Sequence, residues 1–269
     1  MERYRLKNII IIILALVNVF LLGSLMMRQT SQQTTRRNLE EQLVELFAAD
    51  GMELDSSVIP DEAPPALLSM SRDTAREREA ALLLLGETVD SHDQGGGIYS
   101  YAGENGAAVF RENGNYEMAG TLAVEDAEKV CRDFCEKFSY ADPVFHLDED
   151  GNGTAVASCL FDGWDVLNCM VTFSFEQGTL RAVSGTLLPE TGADASAGQK
   201  LLTGVAALTA FQNVRRESGA VVSAVTEMHA CYRLQSSTTA PMALVPTWRI
   251  VTDTSEYYVN CATGAVTTS

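Results

Sequence analysis

The chain has 269 residues, 46% hydrophobic and 20% charged, a globular composition with room for an anchor plus one large or two small domains. Its net charge of -17 is unevenly divided: residues 1–37 carry six cations against Glu2, a local +5, so the other 232 residues stand at -22. A body that acidic repels phosphate backbones and anionic lipid headgroups, which excludes nucleic acid as a partner and suits a soluble domain or one that meets a basic protein.

Residues 8–27 read NIIIIILALVNVFLLGSLMM, twenty positions without a charge. At 1.5 Å rise per residue such a run crosses a hydrocarbon core of about 30 Å, and it predicts a transmembrane helix. Gly23 is followed by Leu25, Met26 and Arg28 rather than by a small-residue cleavage site, so the span is expected to be retained. Arg3, Arg5 and Lys7 favour residues 1–7 as a cytoplasmic tail, with the long acidic portion exported across the cell membrane. Asn18 falls at mid-span, where an amide hydrogen-bonds either to its own helix or to a neighbouring one; it is the one residue singled out for partner binding.

Beyond the span, Leu39, Leu43, Val44 and Phe47 have helical spacing, Gly51 supplies a stop, and Pro60, Pro64 and Pro65 mark an extended linker. Residues 28–72 are therefore expected to be a membrane-proximal helix and linker. Asp73 caps a second predicted helix that ends at Gly86. Gly95–Gly97 reads as a flexible loop, and short β-like runs at 97–101, 107–111 and 116–118 complete a small helix-plus-hairpin region over 73–120.

Two similar units follow, 121–196 and 197–269. The first has a helix over 124–138, with Cys131, Phe134 and Cys135 inward, then strands at 144–147, 154–161, 166–175 and 179–187. The second has a helix over 199–215, then strands at 221–226, 227–235, 243–252 and 256–259. Helix-then-four-strands thus recurs at about 75 residues. The alternation in Val171-Thr-Phe-Ser-Phe175 marks a half-buried antiparallel sheet. The fold class expected is α+β, one transmembrane helix followed by tandem helix-on-antiparallel-sheet units.

The chemistry-bearing motifs are sparse. Asp148-Glu-Asp150-Gly-Asn152-Gly153 imitates the first half of a calcium loop, but Cys159 stands where the bidentate Glu belongs, so a polar β-turn is expected. His92, His146 and His229 form no metal-binding pattern, and Trp164 and Trp248 read as packing residues. Cys131, Cys135, Cys159, Cys169, Cys231 and Cys261 form no zinc spacing; an even number outside the membrane permits disulfides, with the pairing left open. No nucleophile–base pair or phosphate loop is present. No enzymatic activity, catalytic residue, metal or cofactor is expected.

Two stretches, the basic residues and isoleucine-rich span at 7–22, and the terminal block Pro246-Thr-Trp248-Arg-Ile250, Tyr257-Tyr258-Val259-Asn260 and Thr263-Gly264-Ala-Val266, resemble the YycH/YycI family, and YycI more closely. The resemblance implies a bitopic regulator in cell-wall two-component signalling. Its implied partners are a WalK-type sensor histidine kinase, met partly through transmembrane helices, and a YycH-like sibling protein. The terminal block also resembles the ending of PepSY-like domains, which implies an alternative: an extracellular binding or inhibitory module for a peptidase or cell-wall ligand.

Overall fold

The computed structural model describes residues 36–196, 198–236 and 242–268. The expected tail, transmembrane span and Asn18 lie outside these residues, and no described helix is long and apolar enough to cross a membrane.

The architecture is α+β, with four described helices and one large branched sheet. Helix α1 (36–49) leads into β1 (Glu53–Leu54), a single 3-10 turn at Ser56–Val58 and β2 (Leu68–Met70). A helix followed by a four-stranded antiparallel meander then occurs three times. The first is α2 (Thr74–Leu85) with β3 (Val89–Gly95), β4 (Ile98–Gly103), β5 (Gly106–Arg111) and β6 (Asn115–Ala123). The second is α3 (Ala127–Lys137) with β7 (Val144–Leu147), β8 (Gly153–Phe161), β9 (Trp164–Glu176) and β10 (Thr179–Thr186). After β11 (Gly192–Asp194) comes the third: α4 (Gly204–Ser218) with β12 (Ala224–Gln235), β13 (Ala243–Thr252), β14 (Glu256–Asn260) and β15 (Val266–Thr268).

The sequence signals two of these units, and the first escapes because β3, VDSHDQG, is an edge strand with six of its seven residues exposed. With no buried face it has no apolar alternation to read. The expected flexible loop at Gly95–Gly97 is corrected for a related reason. Gly96 and Gly97, at φ +63° and +76°, are the two turn residues of the β3–β4 hairpin, where positive φ matches strand twist. Asp162 and Gly163, at +49° and +80°, join β8 to β9 in the same way.

Region 73–120 packs as part of the following unit. Strand β6 pairs antiparallel with β10, and the helix α2 residues Ala80, Leu84 and Leu85 share one core with Phe134 of α3 and Phe173 of β9. Each expected sheet was to carry one helix; here α2 and α3 together cover the eight strands β3 to β10. A short parallel contact, Val166 and Leu167 beside Tyr232 and Arg233, joins β9 to β12 and links the two halves of the sheet. On β12, Met228 and Ala230 enter the core under α4 while Tyr232 and Leu234, on the same strand face, enter the core under α2 and α3.

In the last unit the two expected strands at 221–226 and 227–235 are one, β12, with a register shift between Val225 and Glu227 that breaks the alternation of its side chains. Helix α4 starts later than expected because Thr203 is its N-cap, its hydroxyl accepting from the Ala206 amide, and it ends at Gly219 in the left-handed region. Leu202 instead runs into the sheet: its amide donates to the Cys261 carbonyl and its carbonyl accepts from Trp248 Nε1 at 2.9 Å. Trp248 and Ile250 are both fully buried on one face of β13, as the closing-hairpin pattern predicts.

Candidate functional site

Helix α1 is the element nearest the predicted span, and the structure fastens it to the last unit rather than separating it by a linker. Leu43 and Phe47, four residues apart, put one apolar stripe against α4, with the Phe47 and Phe211 rings 6.3 Å apart. Polar clamps close both ends. At the start, Arg36 donates to Glu40 at 2.6 Å and to the carbonyls of Pro60 and Asp61, each at 2.8 Å, and pairs with the Asp61 carboxylate. At the end, the Asp50 carboxylate accepts from buried Gln212 and from Arg216, and the Asp50 carbonyl accepts from Arg215. The expected linker is further tied in by β1, which runs parallel to β12, and by β2, which pairs with β13 and β11.

Between the start of α1, the turn at 59–63 and the start of α4 lies a groove of about 630 Å³. Leu39, Ile59, Pro60 and Val205 give it apolar walls, and Arg36, Asp61, Glu62 and Lys200 stand at its rim. Leu39 is 48% exposed on the same helix whose Leu43 and Phe47 are buried, so the apolar stripe of α1 extends past the core into the groove. Of the prolines that mark the expected linker, Pro60 lines this groove, and only packing brings it against residues 203–206.

The residues weighed from sequence fall elsewhere. Asp148 closes a β-turn between β7 and β8: its Oδ1 accepts from the Asn152 and Asp150 amides at 2.8 and 3.0 Å, and these bonds, that from Asn152 first, hold its carboxyl below the usual range. Its would-be twelfth ligand, Cys159, is disulfide-bonded to Cys169 across the β8–β9 hairpin. His92 and His146 are exposed on β3 and β7, while His229 stands near Glu227 on β12, so the three share no site. Trp164 packs between the two cores. Cys131, Cys135, Cys231 and Cys261 are free and buried, and burial pushes each thiol up to about 12. Thiols so held are poor nucleophiles. Among the described residues, no three His, Cys, Asp or Glu side chains gather as for a metal ion.

The terminal block carries one charged cluster on the sheet face opposite α4. Arg249 Nε donates to Glu256 at 3.0 Å, its Nη2 reaches the other carboxylate oxygen, and the Tyr258 hydroxyl donates to Glu256 at 2.6 Å. Those contacts hold the Glu256 carboxyl down at about 2, the arginine first and the tyrosine second.

No family model and no curated protein matches the chain. Among solved structures, the chain is similar to an uncharacterized protein from Eubacterium rectale, 9% identical over 76% of this chain and 86% of that one, with a TM-score of 0.42. It is also similar to the YpeB C-terminal domain of Bacillus megaterium, 11% identical over 74% of this chain and 98% of that one, with a TM-score of 0.33.

Proposed function

We propose that the chain is a membrane-anchored accessory regulator that works by protein contacts, holding its α+β body outside the cell and biasing a sensor histidine kinase through its membrane helix. The observation that carries this reading is the fastening of α1 at both ends, to α4 by Phe47 and Asp50 and to the turn at Pro60 and Asp61 by Arg36. Only eight residues separate the uncharged run ending at Met27 from Arg36. A helix bound to the body at both ends transmits a displacement of that body to whatever precedes it in the chain, whereas a free linker would absorb it. The partner assignment, kinase and YycH-like sibling, comes from the resemblance of the two terminal blocks to the YycH/YycI family. The role is non-enzymatic and uses no cofactor.

Crosslinking the full-length protein in its native membranes tests this. Recovery of a histidine kinase or a YycH-like protein is expected. Recovery of neither removes the support for regulation, and capture of a secreted peptidase in their place favours the PepSY-like binding module.

A further inference from the structure

The groove between α1 and α4 has the lining of a ligand site and a position fixed by the chain. Its volume of about 630 Å³ falls in the usual range of small-molecule pockets, roughly 300–1,000 Å³. Its wall begins at Arg36 and Leu39. Nine chain steps separate Met27 from Arg36, and whatever their conformation they reach no further than about 30 Å. If residues 8–27 cross the bilayer, as the proposed function requires, the groove lies within reach of the lipid headgroups.

The rim charges select among lipids. Lys200 makes no ion pair among the described residues, and it lines the groove just ahead of helix α4, whose N-terminal dipole adds to its positive potential. The lining also carries Glu62, which is likewise unpaired among the described residues, and Asp61, which is shared with Arg36. A rim with one unpaired cation and one unpaired anion complements a zwitterion, and the -22 body disfavours a headgroup with net negative charge.

We propose that this groove takes an acyl chain of a zwitterionic phospholipid, phosphatidylethanolamine in chemical class, with the phosphate at Lys200 and the ammonium at Glu62. The apolar wall of Leu39, Ile59, Pro60 and Val205 receives the hydrocarbon. The lipid rests on the membrane-anchor reading and adds to it a second hold on the bilayer beside α1.

The full-length protein in nanodiscs of phosphatidylethanolamine with a diazirine at the acyl terminus tests it, with crosslinked peptides located by mass spectrometry. Labels are expected in residues 8–27 and also at Leu39, Pro60 and Val205. Leu39→Glu, at a half-exposed position that tolerates charge, should lose the groove labels and keep those in the span; Lys200→Glu should weaken the groove labels alone. Labels confined to 8–27 in the unsubstituted protein overturn the lipid site and leave the anchor standing. Labels in neither place overturn the anchor as well. Equal groove labelling from phosphatidylglycerol overturns the headgroup assignment.

Discussion

The ring of Phe47 on α1 meets that of Phe211 on α4, and Phe211 in turn lies edge-on to Tyr257 of β14 at 4.7 Å. The first described helix, the last helix and the terminal hairpin are therefore joined through one aromatic chain. Truncating its outermost member, Phe47→Ala, removes a fully buried ring and is expected to cost about 3–5 kcal/mol. Urea unfolding followed by tryptophan fluorescence checks it, since Trp248 sits in the same core. A loss below 1 kcal/mol would mean that α1 is not packed on α4.

The disulfide gives a prediction that counts thiols. With Cys159 and Cys169 bonded and four other cysteines buried, a thiol reagent should label none in the native protein, four in denaturant, and six in denaturant after reduction. The pair Cys159→Ser and Cys169→Ser should lower stability by about 2–4 kcal/mol, through freedom restored to the unfolded chain. Labelling of six thiols without reductant would show that the bond is absent.

Alkaline pH should unfold the protein through the same four thiols. Each ionises near 9.0 when exposed and is pushed up to about 12 by burial, so between those values the native state holds protons that the unfolded state has released. Stability rises with pH only where the unfolded state binds more protons, and here it binds fewer. The contribution is complete below about pH 9 and is lost as pH rises towards 12. Burial shifts the Tyr116 and Tyr140 hydroxyls in the same direction. Chemical denaturation between pH 8 and 11 should show falling midpoints, and removing single thiols as Cys131→Ala or Cys231→Ala should shallow the slope.

Calcium should leave the melting temperature unchanged, because the Asp148 carboxylate is already satisfied by the amides of its own turn and Cys159 offers no oxygen. Asp148→Ala is expected to lower the melting temperature by the same small amount with and without calcium, through the lost turn hydrogen bonds. A calcium-dependent rise in melting temperature that Asp148→Ala abolishes would restore the metal reading.

What the sequence made legible follows from where burial is one-sided. Helix α2 was bounded correctly by Asp73 and Gly86, because a capping carboxylate and a terminal glycine are local signals. Strands β7 to β10 matched closely, since Val171, Phe173 and Phe175 alternate against the core. Strand β3 was invisible because it buries almost nothing, and β1 and β2 because two or three residues carry no period. The docking of α1 was hidden for another reason. Its stripe of Leu43 and Phe47 was apparent, but its cover, α4, lies about 160 residues away in sequence, and Asp50 acquires its partners Gln212 and Arg216 only through that contact. The groove is the product of the same long-range packing.

The central claim is that this body acts on a kinase through the membrane helix it holds. The most direct measurement is co-purification of the full-length protein from its own membranes, with and without Asn18→Leu, which preserves the apolar span and removes its mid-span amide. The account predicts that a sensor histidine kinase comes down with the unsubstituted protein and that its recovery falls on substitution. The absence of a kinase from both samples would contradict it.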